Sequence, residues 1–99
     1  MKRIKMLEKE IEQYLSQKVK EAGGLSYKWI STVTGVPDRI VILNQKVQFV
    51  ELKTPKGILS ARQKVVFKEL ENAGFIVDIV RSKADVEAFI WHATLKNCK

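Results

Sequence analysis

Two β-rich runs separated by a short polar break constrain this chain more than any other feature. Asp38-Arg39-Ile40-Val41-Ile42-Leu43 is followed by Asn44-Gln45-Lys46 and then by Val47-Gln48-Phe49-Val50-Glu51-Leu52-Lys53. β-Branched and aromatic residues suit a pleated, half-buried surface, and so short a break between two such runs reads as an antiparallel hairpin. With Asn44 and Gln45 as the turn, Leu43 pairs with Lys46, Ile42 with Val47, and Ile40 with Phe49. Asp38 then falls opposite Glu51. Directly opposed side chains have Cβ atoms about 4.5–5.5 Å apart on one face. Alternation adds Lys53 to the same side. The expected face carries Ile40, Ile42, Val47 and Phe49 in the middle and Asp38, Glu51 and Lys53 at one end. A slip of one residue would undo that alignment.

The rest of the chain supplies helices and two more strands. Ile4, Leu7, Ile11, Leu15, Val19 and Ala22 recur at helical spacing until Gly23-Gly24 stops them. Glu8 and Glu12 lie one turn apart on a row that continues through Leu15 and Val19, so they border the buried face. Leu25 to Ser31 is a predicted strand, and Thr34-Gly35-Val36-Pro37 a loop. Thr54-Pro55-Lys56-Gly57 ends the second hairpin arm. Ser60 is a predicted N-cap for a helix that buries Val66, Phe67, Leu70 and Ala73 and closes at Gly74. Phe75 to Val80 is a strand, and Ser82 caps a last helix with Val86, Phe89, Ile90 and Ala93 inward. The order is α-β-β-β-α-β-α, an α/β fold with a mixed sheet flanked by helices.

At 99 residues the chain has room for one domain, taken as residues 1–99. A net charge of +7 and a pI near 9.7 favour polyanionic partners, nucleic acid before acidic membrane. No apolar run is long enough to cross a bilayer, and Met1-Lys2-Arg3-Ile4-Lys5 leads into no signal-peptide core, which implies a cytoplasmic protein. The lone cysteine, Cys98, cannot form an internal disulfide. The lone histidine, His92, sits mid-helix among apolar residues and is read as a packing or surface residue. His-rich zinc sites and Ser-His-Asp catalysis are thereby disfavoured.

Two carboxylates facing each other across a hairpin repel, and a bound cation removes that cost. Oxygen donors favour Mg²⁺ or Mn²⁺ over zinc. A lysine beside the ion can hold or deprotonate an attacking water, and ion, water and lysine around a phosphate make a hydrolytic centre. On spacing alone, the same three residues are equally ordinary strand-end charges.

A family resemblance separates these readings. Pro37-Asp38, then Glu51-Leu52-Lys53 thirteen residues after Asp38, resembles the PD-(D/E)XK nuclease signature. Gly35-Val36-Pro37-Asp38-Arg39, Val50-Glu51-Leu52-Lys53 and Ser60-Ala61-Arg62-Gln63 together resemble the virus-type replication-repair nuclease (VRR-NUC) domain. The likeness runs from the helix at Glu8 to the strand ending at Val80. It implies the restriction-endonuclease-like α-β-β-β-α-β core and a metal-dependent deoxyribonuclease. Asp38 and Glu51 would ligate Mg²⁺ or Mn²⁺ with the Leu52 carbonyl, and Lys53 would orient the water. Gln63 would sit beside the site, although Ser60-x-x-Gln63 is also a capping box. The family's first-helix glutamate aligns with Glu8, with Glu12 in competition; Glu10 reads as solvated.

Lys28, Arg39, Lys56 and Arg62 are candidate DNA contacts, with Lys56 and Arg62 best placed for phosphates. Tyr27 and Trp29 alternate with Lys28 and offer either core packing or a stacking surface for bases. Stand-alone members of the family resemble four-way-junction resolvases, which implies a homodimer acting on branched DNA. Exposed apolar residues such as Trp91 are candidates for its interface. A binding module with silent carboxylates and a structural subunit are the rival classes.

Overall fold

In the computed structural model the backbone is described for residues 2–95 and side chains from Leu7 onward; Cys98 lies outside the described residues. Helix α1 spans Lys2–Glu21, followed by strands β1 (Leu25–Lys28), β2 (Arg39–Leu43) and β3 (Lys46–Leu52). Helix α2 (Ala61–Asn72), strand β4 (Val77–Val80) and helix α3 (Lys83–Thr94) complete the chain. The sheet order is β1-β2-β3-β4. The first three strands are antiparallel neighbours, and β4 runs parallel to β3. That parallel step is what requires α2 as a crossover.

The hairpin forms in the expected register, with Leu43 opposite Lys46, Ile42 opposite Val47 and Ile40 opposite Phe49. Asn44 and Gln45 both have positive φ, 55° and 64°. A two-residue turn of type I′ needs this at both positions, because its twist matches that of the strands. Asn tolerates the left-handed region better than most residues, while Gln45 is held there by the ladder on either side.

The alternation sorts side chains onto two different faces. Val41, Leu43, Val50, Leu52 and Val80 point to one side and pack with Ile11, Leu15 and Val19 of α1 and Val86, Phe89 and Ala93 of α3. This is the core. The other face carries Ile40, Phe49 and Glu51, with α2 over part of it. Val66 and Phe67 of α2 are buried outside the main core cluster. Phe49 stacks between Trp29 and Phe75, with ring centroids 5.1 and 5.6 Å away.

Some elements differ from expectation in detail. β1 ends at Lys28, although Trp29 still donates its amide to the Asp38 carbonyl at 2.9 Å. β4 begins at Val77, leaving Phe75 and Ile76 outside the ladder. Ala73, expected inward, is exposed because it is the C-cap of α2, with Gly74 following at φ 103°. Leu70 is half-buried. Ser60 and Ser82 cap α2 and α3 as expected. Among the described residues, no helix is long and apolar enough to cross a membrane.

Candidate active site

The site forms where β2 begins and β3 ends. Pro37 is fully buried and precedes Asp38. Proline offers no amide to the sheet, and the β2–β3 ladder ends at Arg39 opposite Val50. The next orphan on β3 is the Leu52 amide, and the Asp38 carboxylate takes it: Leu52 N donates to Asp38 Oδ2 at 2.8 Å. Asp38 is thus locked in place by the strand that carries Glu51.

Glu51 is the one buried charged residue among those described, with a side chain only 3% exposed. Gln63 Nε2 donates to its Oε2 at 2.9 Å, and Lys53 Nζ lies 3.6 Å from the same oxygen. The other oxygen, Oε1, is buried and receives no hydrogen bond. Burial pushes the Glu51 carboxyl up to about 7; Asp38 adds to the rise, while Lys53 and Gln63 oppose it. Burial also raises Asp38, with the Leu52 amide opposing and Glu12 adding to the effect. Two neighbouring acids raised by burial, with an orphan carboxylate oxygen on Glu51, fit a cation. The donors present are hard carboxylate oxygens, which suits Mg²⁺ or Mn²⁺. Among the described residues no three His, Cys, Asp or Glu side chains converge, so main-chain oxygen or water must complete any coordination sphere.

Gln63 carries both of its expected roles. Its Oε1 accepts from the Ser60 amide at 2.9 Å and its backbone amide donates to Ser60 Oγ at 3.1 Å, while its Nε2 reaches Glu51. The helix start and the site share one side chain. Gly35 explains the other side of the same junction. A Cβ there would lie 2.9 Å from the Arg62 carbonyl, and its φ is 99°. Only glycine allows the loop before Asp38 to press against the start of α2.

The remaining candidates separate. Glu12, not Glu8, sits in the electrostatic field of Asp38. Glu8 is half-buried and makes no hydrogen bond or ion pair among the described residues. Arg39, expected at phosphate, is turned inward. Its side chain is 14% exposed, with Nη1 on Glu12 Oε2 at 2.7 Å, Nε on Ser26 Oγ at 2.9 Å and Nη2 on the Ser26 carbonyl at 3.2 Å. These bonds engage all three of its nitrogens, so it ties α1 to β1 and β2. Lys28 remains largely exposed, 3.9 Å from Glu12. Lys56 is exposed, and Arg62 is exposed with its Nε on the Thr34 carbonyl at 3.1 Å. Trp29 packs on Phe49, whereas Tyr27 is exposed. His92 lies on α3, exposed, edge-on to Trp91.

Arg81 escaped the sequence reading. It follows β4 beside Lys53, and its Nη1 donates to the carbonyls of Thr54, at 3.0 Å, and Gly57. A cation directly after the strand parallel to Glu51-Leu52-Lys53 was the available signal.

A mixed sheet in this element order, with two carboxylates and a lysine at one edge, is the restriction-endonuclease-like core. The VRR-NUC domain model matches residues 3–84. A solved structure of a VRR_NUC domain superposes with a TM-score of 0.79 at 27% identity, covering 86% of this chain and 95% of that one. A protein of Acyrthosiphon pisum secondary endosymbiont phage 1, named "Putative nuclease p44", is 48% identical over 50 residues. That stretch is 48% of this chain and spans about half, 54%, of the relative's length. The chain belongs to the VRR-NUC family of nuclease domains.

Proposed function

We propose that this nuclease domain is a divalent-metal-dependent DNA endonuclease that acts on branched, four-way-junction-like DNA as a homodimer. The observation that carries the reading is the buried, unpartnered Glu51 Oε1 beside Asp38 and Lys53. Asp38 and Glu51, with the Leu52 carbonyl, would hold Mg²⁺ or Mn²⁺. Bound there, the ion would polarise a phosphodiester and lower the pKa of a water. Lys53, 3.6 Å from Glu51, would hold and orient the attacking water through its ammonium donors. Gln63 favours the ionised form of Glu51 and holds its carboxylate turned. Lys56 and Arg62, exposed on the loop and helix start beside the site, meet the DNA backbone, and Lys28 extends that surface along β1.

Support for a dimer comes from the same sheet face. Leu25, Tyr27, Ile42 and Val47 are exposed and uncharged in a chain of net charge +7. An uncharged patch lets two basic copies approach with less repulsion than a lysine-rich face would. Trp91, exposed on α3, is the competing contact.

The test is Mg²⁺- or Mn²⁺-dependent cleavage of junction, flap, fork and single-stranded DNA by wild type, Glu51→Ala and Lys53→Ala, with sedimentation on the same samples. Wild type should cut junctions and sediment as a dimer, and both variants should bind without cutting. Cleavage by the variants at the wild-type rate sinks the site assignment. Binding without cleavage by wild type makes the chain a silent binding module. Preference for flaps or single strands by a monomer replaces the junction reading.

A further inference from the structure

The Thr54–Gly57 loop links the catalytic strand to α2 and carries Lys56. It is short and strained for space on the inside. Gly57 N donates to the Thr54 carbonyl at 3.0 Å, which closes it as a turn. A Cβ on Gly57 would lie 3.1 Å from Thr54 Oγ1 and 3.4 Å from Lys53 Cδ, so the turn packs directly on the lysine stem. Across the sheet, the Lys53 amide donates to the Val80 carbonyl at 3.0 Å. The next residue, Arg81, places one guanidinium nitrogen on the carbonyls at both ends of that turn. Its own backbone is fixed by Asp85 Oδ2, which accepts the Arg81 amide at 2.9 Å at the start of α3.

Arg81 has no carboxylate partner among the described residues. Its side-chain hydrogen bonds go to main-chain oxygens of one loop. A charged donor shared between two carbonyls fixes both more firmly than neutral bonds would. Lysine's single ammonium, on a more flexible stem, would hold the two carbonyls less firmly.

We propose that Arg81 is a positioning residue that clamps the Thr54–Gly57 turn, so that Lys53 stays aimed at Glu51 and Lys56 is held at the edge of the site. The inference rests on the nuclease reading above. It adds α3 to the supports of the reaction: Asp85 holds Arg81, Arg81 holds the turn, and the turn seats the lysine.

The experiment compares wild type, Arg81→Ala, Arg81→Lys and Lys56→Ala in junction cleavage with Mg²⁺, and follows amide hydrogen exchange in each. Displacing a reacting group by about an ångström costs up to 10²-fold, so Arg81→Ala should lower kcat by roughly 10–100-fold. Arg81→Lys should fall between Ala and wild type, and added guanidinium at millimolar concentration should restore part of the Arg81→Ala rate. Lys56→Ala should act mainly by raising KM. The Gly57 amide should exchange faster in Arg81→Ala, while the Val50 and Val41 amides keep wild-type protection. Wild-type kcat in Arg81→Ala overturns the proposal. So does a loss of rate that guanidinium does not rescue and that comes with faster exchange at Val50, because that marks general destabilisation. If wild type itself never cuts, the nuclease reading has failed, and unchanged Gly57 exchange in Arg81→Ala would then sink the clamp as well.

Discussion

The two faces of the sheet are made by the same strands yet solve opposite problems. On the α1–α3 side, Val41, Leu43, Val50, Leu52 and Val80 pack into one apolar cluster with the two helices, each nearly fully buried, and the polar residues beside them, Arg39 and Gln48, lie outside that cluster. On the α2 side, Phe49 packs among aromatic rings, but two residues further along the strand Glu51 is buried with one oxygen unsatisfied. The first face stabilises the fold by removing apolar surface from water. The second gives up stability to hold a carboxylate where water cannot screen it. Alternation along β3 makes this division possible, since Val50 and Glu51 are adjacent in sequence and point apart.

That contrast can be broken most sharply by removing the charged groups. Glu51→Ala, Asp38→Ala or Lys53→Ala should each cut the cleavage rate by about 10³-fold or more while the protein stays folded, measured by single-turnover kinetics and circular dichroism. On the opposite face, Leu15→Ala should cost about 3 kcal/mol of stability by leaving a cavity in the core. Activity per folded molecule should not change. Urea unfolding and cleavage on the same sample check both halves.

The pH dependence of stability gives the next largest effect. Burial raises Glu51 from its ordinary value of 4.5 to about 7 in the folded chain. Between those values the unfolded chain ionises this group while the folded chain retains the proton. Stability therefore declines as pH rises from about 4.5 to about 7, by roughly 3 kcal/mol at most for this group. Glu51→Gln should flatten the decline. Saturating Mg²⁺ should reverse it, because a cation favours the ionised form. Thermal unfolding across that pH range with chelator or with Mg²⁺ reads both outcomes.

Smaller effects sharpen the roles of the basic residues. Arg39→Ala should cost about 1–3 kcal/mol of stability, because it leaves Glu12 and Ser26 without their donor. It should scarcely alter the salt dependence of DNA binding. Lys56→Ala should do the reverse, weakening binding by less than tenfold and reducing the logarithmic salt slope by about one. A salt titration of binding by both variants separates an internal strut from a phosphate contact.

The hairpin was legible because its evidence is local. Alternation and a two-residue break fix the register, and register alone brings Asp38 to Glu51. Gln63 was legible for a similar reason, since a capping box and a helical row both depend on short spacings. Arg39 was not. It neighbours Asp38 in the motif, and nothing local says that Glu12, from the first helix, would reach it first. The choice between Glu8 and Glu12 turned on the same unknown, the angle at which α1 crosses the sheet. Arg81 is a third case: its place after β4 was a signal, but its partners are carbonyls, which the side-chain pattern does not name.

The bond between Gln63 and Ser60 settles a polarity. An amide side chain has one accepting end and one donating end. Here the accepting oxygen is committed to the first turn of α2, so only the NH₂ end can look toward Glu51. Held this way, the position presents donors that steady an anion and keeps its oxygen on the Ser60 side, away from Glu51. The way one helix begins thus dictates which sign of charge that wall of the site will tolerate.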